Sequence, residues 1–160
     1  MEKELLTEVT KALTDFISEG LNSLKWFDYP VRVTSRHPLG CTNETALGLN
    51  LYLYRISRNI SFRTPIGSGG LQEIPMPMFN MHFLMNAYGK EDLLEQNRLI
   101  EASIRVLYRT PIFRLHGSQI LAQAEVEYLT IEQVTNLWMS LGCSYQLCVS
   151  YLVNIVDYGL

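Results

Sequence analysis

The sequence predicts a single α+β (mixed α/β) domain, a central mixed β-sheet flanked by about three helices. Three observations carry that expectation. Apolar residues recur at three- and four-residue steps near the N-terminus, then four leucines alternate from Leu47 to Leu53. Pro65, Pro75 and Pro77, half of the six prolines, gather with Gly67, Gly69 and Gly70 between Ser61 and Asn80. With 160 residues, 48% hydrophobic and 18% charged, the chain can bury one core and sits on the apolar side of ordinary soluble proteins.

The first element is an amphipathic helix over Lys3–Asn22. Leu6, Val9, Leu13, Phe16, Ile17 and Leu21 share one face, with Glu8, Lys11, Asp15 and Glu19 largely on the other. Trp26-Phe27-Asp28-Tyr29-Pro30 ends it and reads as a plug between helix and sheet. Val31–Ser35 is a short strand that stops before Pro38. Leu47–Ile56 is the clearest strand. Leu47, Leu49, Leu51 and Leu53 fall on one face; Asn50, Tyr52 and Tyr54 fall on the other, suited to covering by a helix or to an interface.

The Pro/Gly-rich stretch at about 61–80 predicts an irregular loop. It still carries Ile66, Leu71, Ile74, Met76, Met78 and Phe79, and we expect these six residues to form a protein interface. His82–Tyr88 is a second long strand, apolar on both faces. A second helix spans Glu91–Tyr108, with acids at its start, Arg105 and Arg109 towards its end, and Pro111 as its stop. Leu93, Ile100, Ile104 and Leu107 form its expected buried stripe.

Gln119–Leu129 reads as strand. Thr130-Ile131-Glu132-Gln133 is a capping box opening a short helix with Val134, Leu137, Trp138 and Leu141, which ends at Gly142. Leu147–Val156 is the last strand, apolar enough on both faces to lie inside the sheet. The order is αββ(loop)βαβαβ, without an internal repeat.

Charge and composition exclude several function classes. A formal net charge of −3 offers no basic surface for nucleic acid. No apolar run approaches the roughly 20 residues that a membrane helix needs. Met1-Glu2-Lys3-Glu4 is unlike a secretory signal, so cytoplasmic assembly is expected. Cys41, Cys143 and Cys148 are an odd set without a CxxC, unlike a disulfide framework, and are read as inert thiols. From Leu115 to Leu160 there is no Lys or Arg. Such an apolar stretch is a central core element, with partial burial against another subunit as the sharper alternative.

The search for chemistry yields no catalytic, cofactor-binding or metal residues. His37, His82 and His116 lack metal-ligand spacing. His82 is expected in a strand, hydrogen-bonded to backbone. Glu91-Asp92 reads as a helix-start pair and Glu125/Glu127 as an exposed strand face. Arg98, Arg105 and Arg109 share a helical face that either is solvated or meets an acidic partner. A small hydrolase with a scattered site is the remaining enzyme reading; a cleft joining His82 or His116 to a cysteine or an acid would revive it.

Four stretches together carry a family resemblance. They are Leu49–Arg58 (LNLYLYRISR), Asn86-Ala87-Tyr88-Gly89 followed by the acidic-led helix with Gln96, Thr130 to Trp138, and Tyr151-Leu152-Val153. In this order and spacing the chain resembles the Pvc16 N-terminal domain family, also known as a DUF4255 domain. The resemblance implies a phage tail-terminator-like fold and a structural cap protein of a contractile injection system. Copies of the chain would form a hexameric ring that closes the distal end of the inner tube and engages the sheath. Its partners would be itself and the tube and sheath proteins, with no cofactor, no nucleic acid, no membrane insertion and no enzymatic residues. Many relatives look longer, so sheath contacts made by an extension fall outside what the resemblance implies here. An adaptor that docks an injection particle or toxin complex without forming a ring is the alternative.

Overall fold

A computed structural model describes residues 4–59, 79–89 and 92–159. Among these, three helices and six strands follow the order α1 (Leu5–Leu24), β1 (Arg32–Thr34), β2 (Gly48–Arg58), β3 (Phe79–Tyr88), α2 (Leu93–Arg109), β4 (Ile112–Arg114), β5 (Leu121–Glu127), α3 (Ile131–Leu141) and β6 (Cys148–Asp157). A 3₁₀ turn, Pro38–Cys41, lies between β1 and β2. The strands form one mixed sheet in the order β1-β2-β3-β6-β5-β4. β1 pairs with β2 in parallel, and every other neighbour is antiparallel. The expected α+β class and the interior place of the last strand both hold. No helix among the described residues is long and apolar enough to cross a membrane.

Alternation along the strands divides the sheet into two faces. One face presents Leu49, Leu51, Met81, Phe83, Met85, Tyr151 and Val153, all buried, to α1 and α2. Helix α1 meets it with Val9, Leu13, Ile17 and Leu21, the stripe the sequence predicts. At Gly20 the two helices touch: a Cβ there would come within 2.4 Å of a Val106 methyl, so only glycine permits this approach. Trp26 and Phe27 pack against the edge of the same core.

Helix α2 departs from expectation. Its buried residues are Leu99, Ile100, Ala102, Ser103, Val106 and Leu107, while Leu93 is exposed. Ile100 and Leu107 are buried and Ile104 half-buried as expected; Leu93 lies only about 20° round the helix from Ile100, so its exposure comes from its place in the first turn, ahead of the core. Ser103 can be buried because its hydroxyl donates to the Leu99 carbonyl at 2.8 Å.

The opposite face carries α3. Thr130 and Gln133 form the reciprocal capping box, with bonds of 3.1 and 2.9 Å, and Gly142 closes the helix in the left-handed region. Trp138 and Leu141 are its buried residues and pack with Leu84, beside Tyr52 and Tyr54. The Asn50-Tyr52-Tyr54 face is thus partly covered by a helix, one of its two expected fates. Strand β4 was not expected from the sequence; three residues between Pro111 and a tight turn are too few to show a period. The turn is built by the Leu115 amide donating to the Ile120 carbonyl and by Gly117 at φ 63°.

Candidate functional site

Of the six residues expected at an interface, Ile66, Leu71, Ile74, Met76 and Met78 lie outside the described residues. Phe79 opens β3 opposite Arg58 and is half-buried.

Four of the residues that carry the family resemblance, Asn50, Asn86, Gly89 and Gln96, lie at one end of the sheet, where they stitch loops to strands. Asn50, fully buried, accepts from the Thr34 hydroxyl at 2.9 Å and the Arg36 amide at 3.0 Å, and donates to the Arg36 carbonyl at 2.8 Å. Asn86 donates to the Gln146 side chain at 2.8 Å. Gly89 sits at φ 74°, and a Cβ there would lie 1.8 Å from the Ala46 carbonyl oxygen. Gln96 reaches back from α2 to the Gly89 carbonyl at 2.9 Å. Arg36 pairs with Glu44 at 2.9 Å and lies over the Tyr88 ring at 5.3 Å. These residues border an open polar groove of about 570 Å³ lined by Cys41, Glu44, Tyr88 and Gln146. Burial pushes the Cys41 thiol up despite the neighbouring Arg36, so it stays protonated and unreactive.

A second polar cluster spans four strands on the α3 face. Ser57 Oγ lies 2.7 Å from His82 Nε2, and His82 Nδ1 lies 2.8 Å from Glu127 Oε2. The same carboxylate oxygen accepts from Ser150 at 3.1 Å and Tyr54 at 3.3 Å, and those two hydroxyls are 2.7 Å apart. Two expectations are corrected here. His82 bonds to side chains, not to backbone, because its β2 and β5 neighbours supply a hydroxyl and a carboxylate. Glu127 is not on an exposed face: its side chain is 23% exposed and turns inward to His82. Burial pushes the Glu127 carboxyl up, but the hydrogen bond and charge of His82, then Ser150 and Tyr54, outweigh it and hold the carboxyl below its ordinary range.

The Ser57–His82–Glu127 contacts have the connectivity of a hydrolytic triad. The setting differs. Ser57 stands within β2 opposite Asn80, two residues beyond the irregularity at Leu53/Arg55, without the sharp strand-to-helix turn that projects a nucleophile. His82 is 4% exposed, and its carboxylate partner is shared with two other hydroxyls. The cluster satisfies polar groups buried between sheet and α3.

The other candidates are structural. His37 caps the 3₁₀ turn by accepting from the Leu39 amide at 3.1 Å and packs on Tyr52. His116 meets Asp15 on the surface. Arg98 and Arg105 are held by Glu95 and Glu101 and lie over Phe27 and Trp26. No cluster of His, Cys, Asp or Glu among the described residues could hold a metal. Burial raises the Cys143 and Cys148 thiols, and Cys148 accepts from the Trp138 indole at 3.4 Å.

Some of the exposed apolar side chains lie on and beside the last two strands of the sheet order. Tyr108, Ile112, Val126, Tyr128 and Ile131 follow the outer side of β4 and β5. They adjoin an apolar groove of about 400 Å³ lined by Ile104, Val126, Leu129, Val134 and Val149. Sequence reasoning named none of these as a contact surface; the lack of Lys and Arg after Leu115 was the signal that pointed there.

Known proteins agree with this architecture. The sequence profile of the Pvc16 N-terminal domain matches residues 8–159. No curated protein matches the sequence. Among solved structures, the fold is similar to the sheath/tube terminator of PVC, an extracellular contractile injection system, in its extended state. That match has a TM-score of 0.69 at 15% identity and covers 97% of this chain and 57% of the other. It is also similar to the tube-terminating cap of the anti-feeding prophage, with a TM-score of 0.61 at 15% identity, over 94% of this chain and 55% of that one. The chain thus spans little more than half the length of the proteins it matches.

Proposed function

Because the chain belongs to the Pvc16 N-terminal domain family, we propose that it caps the inner tube of a contractile injection particle. In this reading it is one subunit of a hexameric ring that closes the distal end of the tube and engages the sheath. The observation that carries the reading is a fold shared with a sheath/tube terminator over 97% of the chain. The role is structural: the triad-like cluster among the described residues is a part-buried hydrogen-bond network between strands, with its carboxylate shared by two further hydroxyls. The chain is assembled in the cytoplasm with tube and sheath proteins as its partners. Ile66, Leu71, Ile74, Met76, Met78 and Phe79 supply a contact to one of them.

Cryo-imaging of particles assembled with and without the chain tests this. With it, ring-shaped density is expected at one tube end; without it, that end is open and tube length is unregulated. Particles with normal ends and lengths in its absence would refute the cap role.

A further inference from the structure

Among the described residues the sheet has two open edges, and they match. On one side, β1 pairs with β2 only at Gly48–Asn50, so among the described residues Leu51–Arg58 has a strand partner on one side only. On the other side, β4 covers β5 at Leu121–Gln123 and the Ala124 amide donates to the Pro111 carbonyl at 2.8 Å, leaving Glu125–Glu127 without an outward strand partner among the described residues. Unpaired edges of this kind are templates for another strand.

Three features suit these edges to each other. The first is height. One row of the ladder runs Arg55–His82–Leu152–Glu125, and the next Leu53–Phe83–Tyr151–Val126, so the open halves lie level across the sheet. The second is direction. β2, β3, β6 and β5 alternate, so β5 runs opposite to β2. Rotation about an axis parallel to the strands keeps strand direction, so β2 of a neighbouring copy meets β5 antiparallel, as a closed ring requires. The third is charge. The β2 edge carries exposed Arg55 and Arg58; the β5 edge carries exposed Glu125, with Glu132 nearby and no Lys or Arg anywhere after Leu115. Beside β5, the groove of Ile104, Val126 and Leu129 offers an apolar seat at the same border as half-exposed Ile56 of the incoming strand.

We infer that copies of this chain join head to tail, the open half of β2 in one copy adding to the open half of β5 in the next, with Arg55 facing Glu125. This rests on the ring reading and names its interface. The two edges differ, so the contact is heterologous and propagates until rotation closes it.

Cysteine pairing in assembled particles tests it, with the parent chain as control for its own thiols. Arg55→Cys/Glu125→Cys in one chain should give an oxidative ladder beyond dimer, because opposed antiparallel residues meet disulfide geometry. The two single variants mixed should stop at dimer. Ser57→Cys/Glu125→Cys covers a register shifted by two. Separately, Arg55→Glu should lower the assembled fraction by about tenfold, and Arg55→Glu/Glu125→Arg should restore it. Rings present at tube ends with no ladder from either pair overturn the edge pairing and leave the ring intact. Tube ends without any ring overturn both.

Discussion

The two faces of this sheet are held by different forces. Under α1 and α2, Val9, Leu13, Ile17, Leu49, Phe83, Met85 and Leu99 are wholly buried and almost entirely apolar. On the α3 face, Leu84 is the buried apolar residue of the sheet beside buried Asn50, His82, Asn86 and Ser150, with Trp138 and Leu141 as the helix's own buried residues. Apolar burial is non-directional and accumulates with area; hydrogen bonds are directional and contribute modest net energy. The first face therefore supplies stability, and the second fixes geometry. Around α3, Tyr128, Ile131, Met139 and Tyr145 remain exposed, so the second face also keeps surface for other molecules.

The sharpest way to break this contrast is to remove one large side chain from each face. Phe83→Ala should cost about 3–5 kcal/mol and weaken the whole domain. Trp138→Ala removes a larger side chain, yet α3 hangs on it and Leu141, so the loss should be mainly local. We expect residues 131–141 to lose hydrogen-exchange protection while the urea midpoint falls less than for Phe83→Ala. Equal midpoint losses would show that the faces are not energetically distinct.

The same contrast explains what the sequence made legible. The dry face could be read because its rules are local: the period-two leucines of β2 and the three-and-four spacing of α1 state which side is buried. The capping box of α3 is local too. The polar network could not be read, because His82 and Glu127 are 45 residues apart and meet only through the order β3-β6-β5. Two acids at alternate positions, Glu125 and Glu127, read as one outward-facing strand face, although only Glu127 has a buried histidine to meet. Leu93 misled for a related reason: a leucine in the first turn of a helix extends the apparent stripe beyond the sheet it packs on. Which strands form the edges is not legible, because an edge is defined by absent neighbours, which the local pattern does not encode.

Acid sensitivity separates the faces next. The Glu127 carboxyl is held below its ordinary range in the folded chain. Its ionised form therefore stabilises the fold fully above the unfolded value of about 4.3, and that contribution is lost as pH falls through the lower folded value. Glu127→Gln should lower stability at neutral pH and flatten the loss below about pH 4.3. Phe83→Ala should lower stability while leaving the acid slope as it is. Urea denaturation at stepped pH measures both; an unchanged slope in Glu127→Gln would remove the carboxylate from the account.

The smallest effect is also the finest comparison, because each face has one helix with a side-chain N-cap. Asp92 accepts from the Leu94 amide at 3.0 Å at the start of α2, and Thr130 accepts from the Gln133 amide at 3.1 Å at the start of α3. Removing either cap costs about 1 kcal/mol of helix stability. Helix α2 is bound into the dry core, so fraying its start is coupled to global unfolding, and Asp92→Ala should shift the urea midpoint. Helix α3 can open while the core stays shut. Thr130→Ala should therefore raise exchange at the amides of its first turn and move the midpoint little. If Thr130→Ala shifts the midpoint as far as Asp92→Ala, α3 unfolds together with the core, and the α3 face contributes to global stability after all.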